Sequence, residues 1–332
     1  MAGGVGTADG PAGRRVDPAG AAFGLGFPVL AAAVTVALTA VWADRLPDRI
    51  ADHWSGSGAP DGFSSPWSNA WFIAALIIVI GAGAGAVATS TRAQLMLRRV
   101  ILAVSCLVTG LIATVDIVLL ASQLDLDDPA DARLSTWSIG AGVLVGLVVG
   151  LVGAALLGDH RPRIPATAPP PPELPRADPL VLPVADTVGI GGRAAAGIYG
   201  FLAAVAVATC VLVGSPWPVP LFIAGALLVA VVSRFNVVLD EEGLRVLCLG
   251  VTMFGYRADE FTESRVHDVH PFAEFGGWGL RVRPRRRYGV VTRRGPGFTV
   301  RAASGDRITV TTDRADEFAA AANALADHAA RG

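Results

Sequence analysis

The chain has 332 residues, 52% of them hydrophobic, with a mean hydropathy of +0.53 and a formal net charge of −1. This composition fits a membrane domain joined to a soluble one. The three cysteines, Cys106, Cys210 and Cys248, have no Cys-x-x-Cys or metal-ligand spacing, which argues against a disulfide framework or a zinc site. All 27 basic residues are arginine, in an Ala/Gly/Val-rich background of the kind a GC-rich bacterial genome encodes. A Gly/Ala-rich tail, residues 1–20, is expected to be disordered. Six apolar runs follow: Ala21 to Ala43, Trp71 to Ser90, Val100 to Ser122, Trp137 to Leu157, Ala194 to Val213 and Pro218 to Ser233. Five reach or approach the roughly 20 residues that cross the hydrocarbon core as a helix, and the sixth is near the lower limit of about 17.

Arginine orients these runs. Arg14 and Arg15 precede the first, Arg92, Arg98 and Arg99 lie between the second and third, and Arg161 and Arg163 follow the fourth. Arg193 and Arg234 flank the last pair. The other loops carry eight acids, Asp44, Asp48, Asp52, Asp61, Asp125, Asp127, Asp128 and Asp131, against Arg45, Arg49 and Arg133. Cytoplasmic loops are the positive ones, so both termini are expected inside a multi-pass cell (inner) membrane protein.

The expected organisation is a four-helix membrane domain (21–158) with an outer loop at 44–70, a cytoplasmic Pro-rich linker (159–192), a transmembrane hairpin (193–234) and a cytoplasmic domain (235–332). The linker has nine prolines, including Pro169 to Pro172, and is expected as extended polyproline II without packed structure. In the last block the period changes. Asn236 to Asp240, Leu244 to Leu249, Met253 to Arg257, Arg265 to Val269, Leu280 to Val282, Tyr288 to Thr292, Phe298 to Arg301 and Ile308 to Thr311 read as short strands between Gly, Pro and Asp turns. Thr312 and Asp313 then cap a helix whose apolar stripe is Phe318, Ala322, Leu325 and Ala329. Strands in this number, antiparallel, with one terminal helix give the order of a small antiparallel β-barrel.

The outer loop holds Leu46, Pro47, Asp48, Ile50, His53 and Trp54, then Gly58, Asp61 and Gly62. This string resembles the signature of the domain of unknown function 1648, a bacterial membrane module shared with Sdp-type toxin immunity proteins. The resemblance spans about residues 25 to 90 and implies a helix, this outer loop and a second helix. The string His270, Pro271, Phe272, Glu274, Phe275, Gly276, Gly277, Trp278, Gly279 and Arg281, with the strand order and terminal helix, resembles bacterial pleckstrin-homology-like domains.

Four features are candidates for chemistry. His53 with Asp48, Asp52 and Asp61 has the residue types of a metal or proton-responsive site. Turn formation by Pro47, Pro60 and Asp61-Gly62, with Trp54 anchoring the loop at the headgroups, is the favoured alternative. Asp116 is the one ionisable side chain deep in an apolar run, which marks it for an ion or proton pathway; a neutral carboxyl bonded to a neighbouring helix is the competing expectation. Gly142, Gly146 and Gly150, and Gly81 and Gly85, are spaced for close helix packing. Seven arginines crowd residues 281–294, among them Arg283, Arg285, Arg286 and Arg287. Beneath an anionic inner leaflet such a cluster is either lipid-facing or a solvated hairpin, while the membrane tether argues against nucleic acid.

No nucleophile elbow, phosphate-binding loop or His-Glu-x-x-His is present. No cofactor is expected. The expected partners are the bilayer, its anionic headgroups and other envelope proteins. The leading function is a non-catalytic sensory, regulatory or scaffold protein of the bacterial envelope. A small-solute or ion transporter using Asp116 is the alternative, and an envelope enzyme the third.

Overall fold

Asp17 starts the first helix. Its carboxylate accepts from the Ala19 and Gly20 amides, and Pro18 fills the first helical position, where a missing N–H costs nothing. The computed structural model describes residues 16–54, 59–91, 93–133 and 135–331. Arg14, Arg15, Arg92 and Gly58, and most of the expected disordered tail, lie outside these. Residues 18–20, assigned above to that tail, are helical because Asp17 caps them.

Among the described residues five helices are long and apolar enough to cross a membrane: α1 (Pro18–Arg45), α2 (Pro66–Thr89), α3 (Leu95–Ala121), α4 (Trp137–Leu156) and α5 (Gly192–Val213). The chain is a multi-pass membrane protein. The sixth expected span, α6 (Val219–Ser233), has 15 residues. At 1.5 Å per residue it is about 22 Å long, short of the roughly 30 Å hydrocarbon core.

The chain divides into two units, Met1–Ser135 with Leu144–Pro162, and Thr136–Val143 with Arg163–Gly332. In the first, small residues set the packing. Gly24 on α1 and Gly85 on α2 cross so closely that a Cβ on either would collide with the other's carbonyl oxygen. Gly146 and Gly150 on α4 lie against the backbone of Cys106, Leu107 and Ala103 on α3. Ser105 Oγ donates to the Gly81 carbonyl at 2.7 Å, adding a polar tie between α3 and α2. The loop between α1 and α2 forms a hairpin, β1 (Ile50–Trp54) with β2 (Pro60–Ser64).

The second unit holds nine strands. β3 (Val184–Gly189), β4 (Arg234–Asp240), β5 (Gly243–Cys248) and β6 (Val251–Arg257) form one antiparallel sheet in sequential order. β7 (Phe261–Val269), β8 (Gly279–Arg283), β9 (Arg287–Val291), β10 (Gly295–Ala302) and β11 (Arg307–Thr311) form the other, ordered β7-β10-β11-β9-β8. The eight strands expected from alternation are present, some with longer ends. β9 and β11 pair in parallel, which corrects the all-antiparallel expectation. The cause is an excursion: the chain leaves β7, makes the β8–β9 hairpin on the far edge, and returns to pair β10 with β7. The last helix, α7 (Ala315–Ala329), covers β7 and β10, with the Phe318 ring stacked on Phe298 at 4.9 Å. Phe318, Ala322 and Leu325 are buried as the stripe requires.

The Pro-rich segment is packed, contrary to the expectation of an unpacked linker. Arg163 donates to Glu260 at 2.7 Å and to the Gly255 carbonyl at 2.9 Å, and the Ala166 amide reaches the Asp259 carbonyl. Prolines offer carbonyls without amides of their own, and Arg176 donates to three carbonyls of this segment, on Pro170, Pro171 and Leu174, while pairing with Asp327 of α7. The segment then enters β3, whose partner β4 lies beyond α5 and α6. The domain therefore begins before the membrane hairpin, not at residue 235: α5 and α6 are inserted between two adjacent strands, leaving at Gly189 and returning at Arg234 opposite it.

Candidate functional site

The outer hairpin is docked on its unit by a glutamine. Gln123, fully buried just past α3, accepts the Ala51 amide at 2.7 Å and donates to the Ala51 carbonyl at 3.0 Å, so one side chain completes both backbone groups of a buried strand residue. Leu46 and Ile50 pack on Leu120 beneath it. Trp54 Nε1 donates to the Ala132 carbonyl at 3.4 Å, and Pro47 is half-buried. Arg45 and Asp125 pair across the rim, and the Asp125 carboxyl is held below its usual range by the Arg45 hydrogen bonds.

The polar residues of the motif do not converge. His53 Nδ1 lies 2.6 Å from Asp61 Oδ1, with both side chains largely exposed. Gly62 faces His53 across the hairpin, and a Cβ there would sit 2.7 Å from His53 Cβ and 2.9 Å from an Asp52 oxygen. Asp48 is exposed. Among the described residues no three His, Cys, Asp or Glu side chains are grouped to hold a metal ion. The arrangement does turn and docking work: the string from Leu46 to Gly62 builds a hairpin, and Gln123 fastens it. The apolar run ending at Ser122 hid Gln123; a polar residue immediately beyond a membrane helix was the signal available.

Asp116 is buried within the first unit. Its Oδ1 accepts from Asn69 Nδ2 on α2 at 2.8 Å, and its Oδ2 has no hydrogen-bond partner among the described residues. Asn69 lies before the apolar run as read from sequence, yet inside α2, because Ser65 and Pro66 start that helix early.

At the opposite end of this unit is a buried ion pair, whose arginine the sequence shows only as an orientation signal. Arg98, fully buried, donates to Asp17 Oδ2 at 2.6 Å, to the Ala88 carbonyl at 3.0 Å and to the Gly158 carbonyl at 2.9 Å. One guanidinium thus gathers the start of α1, the end of α2 and the exit of α4 around α3. Neighbouring Arg99 donates to the Leu157 carbonyl at 2.8 Å. Burial pushes the Asp17 carboxyl up, but the Arg98 hydrogen bond and the Gly20 and Gly158 amides outweigh it and leave the carboxyl below its ordinary value.

The arginine cluster splits in two. Arg286 pairs with Asp306 at 2.6 Å, a buried carboxylate that also accepts from Tyr256 Oη. Arg287 lies over the Phe275 ring and within 3.7 Å of Glu274. Of the four lipid-facing candidates these two are therefore turned to the protein. Arg283 and Arg285, with Arg281, have no carboxylate partner among the described residues. Arg285 and Arg286 both hold positive φ, 63° and 58°, at the β8–β9 tip. That backbone favours Gly, Asn or Asp and costs on the order of 1 kcal/mol or more per residue; the Asp306 pair holds Arg286 there. Beside this hairpin Phe272 and Trp278 meet edge to face at 5.0 Å, both more than half exposed.

Residues 30–78 match the family model for Domain of unknown function (DUF1648), which takes in most of α1, the outer hairpin and the first half of α2. No curated protein and no solved structure matches the chain.

Proposed function

We propose that this protein is a non-catalytic sensory, regulatory or scaffold module of the bacterial inner membrane, with a cytoplasmic pleckstrin-homology-like domain as its binding part. The observation that carries the reading is the insertion of α5 and α6 between β3 and β4, which mounts a complete two-sheet domain directly on a membrane hairpin. If the β8–β9 excursion is set aside, four strands in one meander, three in the next (β7, β10, β11) and a closing helix remain, the strand order of a pleckstrin-homology fold. Polar groups elsewhere are spent on structure: Gln123 on Ala51, Arg98 on three helix ends, Arg176 on the proline strap. A transport reading draws on the unpartnered Oδ2 of Asp116, and in that case Asp116→Asn should abolish solute or proton flux in proteoliposomes.

The arrangement of arginine in alternate loops supports both termini inside, with α6 a short sixth span that thins the bilayer or recruits flanking residues into it. Single cysteines at Ser57 and Ala130, in a chain whose own three cysteines are replaced, should label with an impermeant thiol reagent on intact cells. Those at Ala168 and Ala303 should label only after lysis. Labelling at Ala303 before lysis overturns the reading.

A further inference from the structure

We infer that the β8 edge of the C-terminal domain is a bilayer-docking surface, in which Phe272, Trp278 and Val282 enter the headgroup layer and Arg281, Arg283 and Arg285 bind anionic lipid phosphates. The inference rests on the cytoplasmic reading above and deepens it.

The attachment of the domain comes first. β4 continues α6 at Arg234 with no intervening residue, and β3 pairs with it so that Gly189 stands opposite Arg234. Two chain crossings side by side define one end of the domain as the membrane end. Asn236 pairs with Leu247, so the β5–β6 turn reaches the same end, and its tip residue Leu249 is 60% exposed with a φ of 49°. Because α6 is about 8 Å shorter than a 30 Å core, its junction with β4 is drawn to headgroup depth. β8 packs against α6 and is the outer strand of its sheet.

The chemistry of that edge fits a lipid surface. Phe272, Trp278 and Val282 are 63%, 58% and 47% exposed, a costly display for a soluble face and an ordinary one for residues at the headgroup boundary. Successive side chains of a strand point to opposite faces, so a surface meeting β8 edge-on is reached by Val282 on one side and by Arg281 and Arg283 on the other. Arg281, Arg283 and Arg285, unlike Arg286, Arg287 and Arg293, have no carboxylate partner among the described residues. A bilayer also covers the open hydrogen-bonding edge that β8 otherwise leaves to water or to another strand.

The test uses the full-length chain, with its own cysteines replaced, in nanodiscs of phosphatidylcholine alone or with phosphatidylglycerol, carrying nitroxide-labelled lipid. A fluorophore on Val282→Cys should be quenched in the anionic discs. One on Glu241→Cys, in the β4–β5 turn about 20 Å along the strands from the membrane end, should not be. Each arginine at the headgroups is worth roughly fivefold in the docked-to-undocked ratio, so Arg281→Gln/Arg283→Gln/Arg285→Gln should lower that ratio by about a hundredfold. Raising salt on the unsubstituted arginines should move it the same way, since the Debye length falls below about 8 Å above physiological ionic strength. Phe272→Ser/Trp278→Ser should weaken docking at every salt concentration. Equal, low quenching at Val282 and Glu241 in anionic discs overturns the inference and leaves this edge to a protein partner. Quenching at Val282 that ignores lipid charge, salt and the arginine changes overturns the anionic part of it. Surface labelling at Ala303 in intact cells is the separate sign that the cytoplasmic reading itself has failed.

Discussion

The two ends of the four-helix unit are closed by the same pair of residue types put to different uses. At one end Arg98 and Asp17 are sealed from solvent, with side-chain exposures of 0% and 2%, and each is bonded to further backbone groups from several helices. At the other, Arg45 and Asp125 are 55% and 61% exposed and bond chiefly to one another, while the holding is done by a neutral side chain, Gln123. A buried ion pair cannot be opened without stranding a charge, whereas an exposed one is exchanged for water. One end is therefore built as a lock and the other as a docked flap.

The largest effect should follow from opening the lock. Arg98→Ala leaves the Asp17 carboxylate buried beside the Ala19, Gly20 and Gly158 amides and frees the Ala88 and Gly158 carbonyls, which should cost about 3–5 kcal/mol and be visible as a large fall in Tm of the full-length protein in detergent. Asp17→Asn/Arg98→Met, which removes both charges, should recover part of that loss. The Asp17 carboxyl is held below its ordinary value of 3.8, so its pair contributes fully above that value and loses its contribution as pH falls further, through the depressed folded value. Tm should therefore carry an acid-side decline in the native chain that is absent from the double substitution. A double variant no more stable than Arg98→Ala would show that the cost lies in packing and not in the stranded charge.

The middle effect belongs to the flap. Gln123→Ala leaves the amide and carbonyl of buried Ala51 without partners, at about 1–3 kcal/mol. Limited proteolysis of the outer loop should become faster while the rest of the chain stays resistant. Equal protection in the variant would mean that Leu46, Ile50 and Leu120 hold the hairpin alone.

How far such features can be read from sequence depends on whether their partner is local. The strands from Arg234 to Thr311 are visible because alternation and turn residues are properties of neighbours in the chain. β3 is not: its apolar residues, Val184 and Val188, sit in a proline-rich stretch, and the strand they pair with is separated from them by a whole membrane hairpin. The parallel pairing of β9 with β11 is equally silent, since period-two alternation names the buried face and not the adjacent strand. Asn69 and Asp116 each lie in apolar surroundings 47 positions apart, and only the packing of α2 on α3 joins them. Arg98 carries two messages at once. Its charge is legible as an orientation signal, but its burial one turn into α3 requires knowing where α1 begins. The string from Leu46 to Gly62 is a recipe for a hairpin whose fastener, Gln123, lies outside the string.

The smallest effect is expected where the motif looks most chemical. Asp125→Asn should leave Tm unchanged within error in both low and high salt, because its pair with Arg45 is open to water. The same holds for His53→Ala, whose ring pairs with Asp61 at the exposed hairpin surface. A metal held by His53, Asp61 and a third group would alter this outcome: a ligand bound at a hundred times its Kd stabilises by about 2.7 kcal/mol, so zinc or nickel would raise Tm in the native chain and not in His53→Ala. With Asp48 and Asp52 exposed and pointing to no common centre with His53 among the described residues, zinc titration of the full-length protein should produce no such rise. A rise abolished by His53→Ala would turn the flap from a docked turn into a metal-responsive sensor, and would reverse which end of the unit is the functional one.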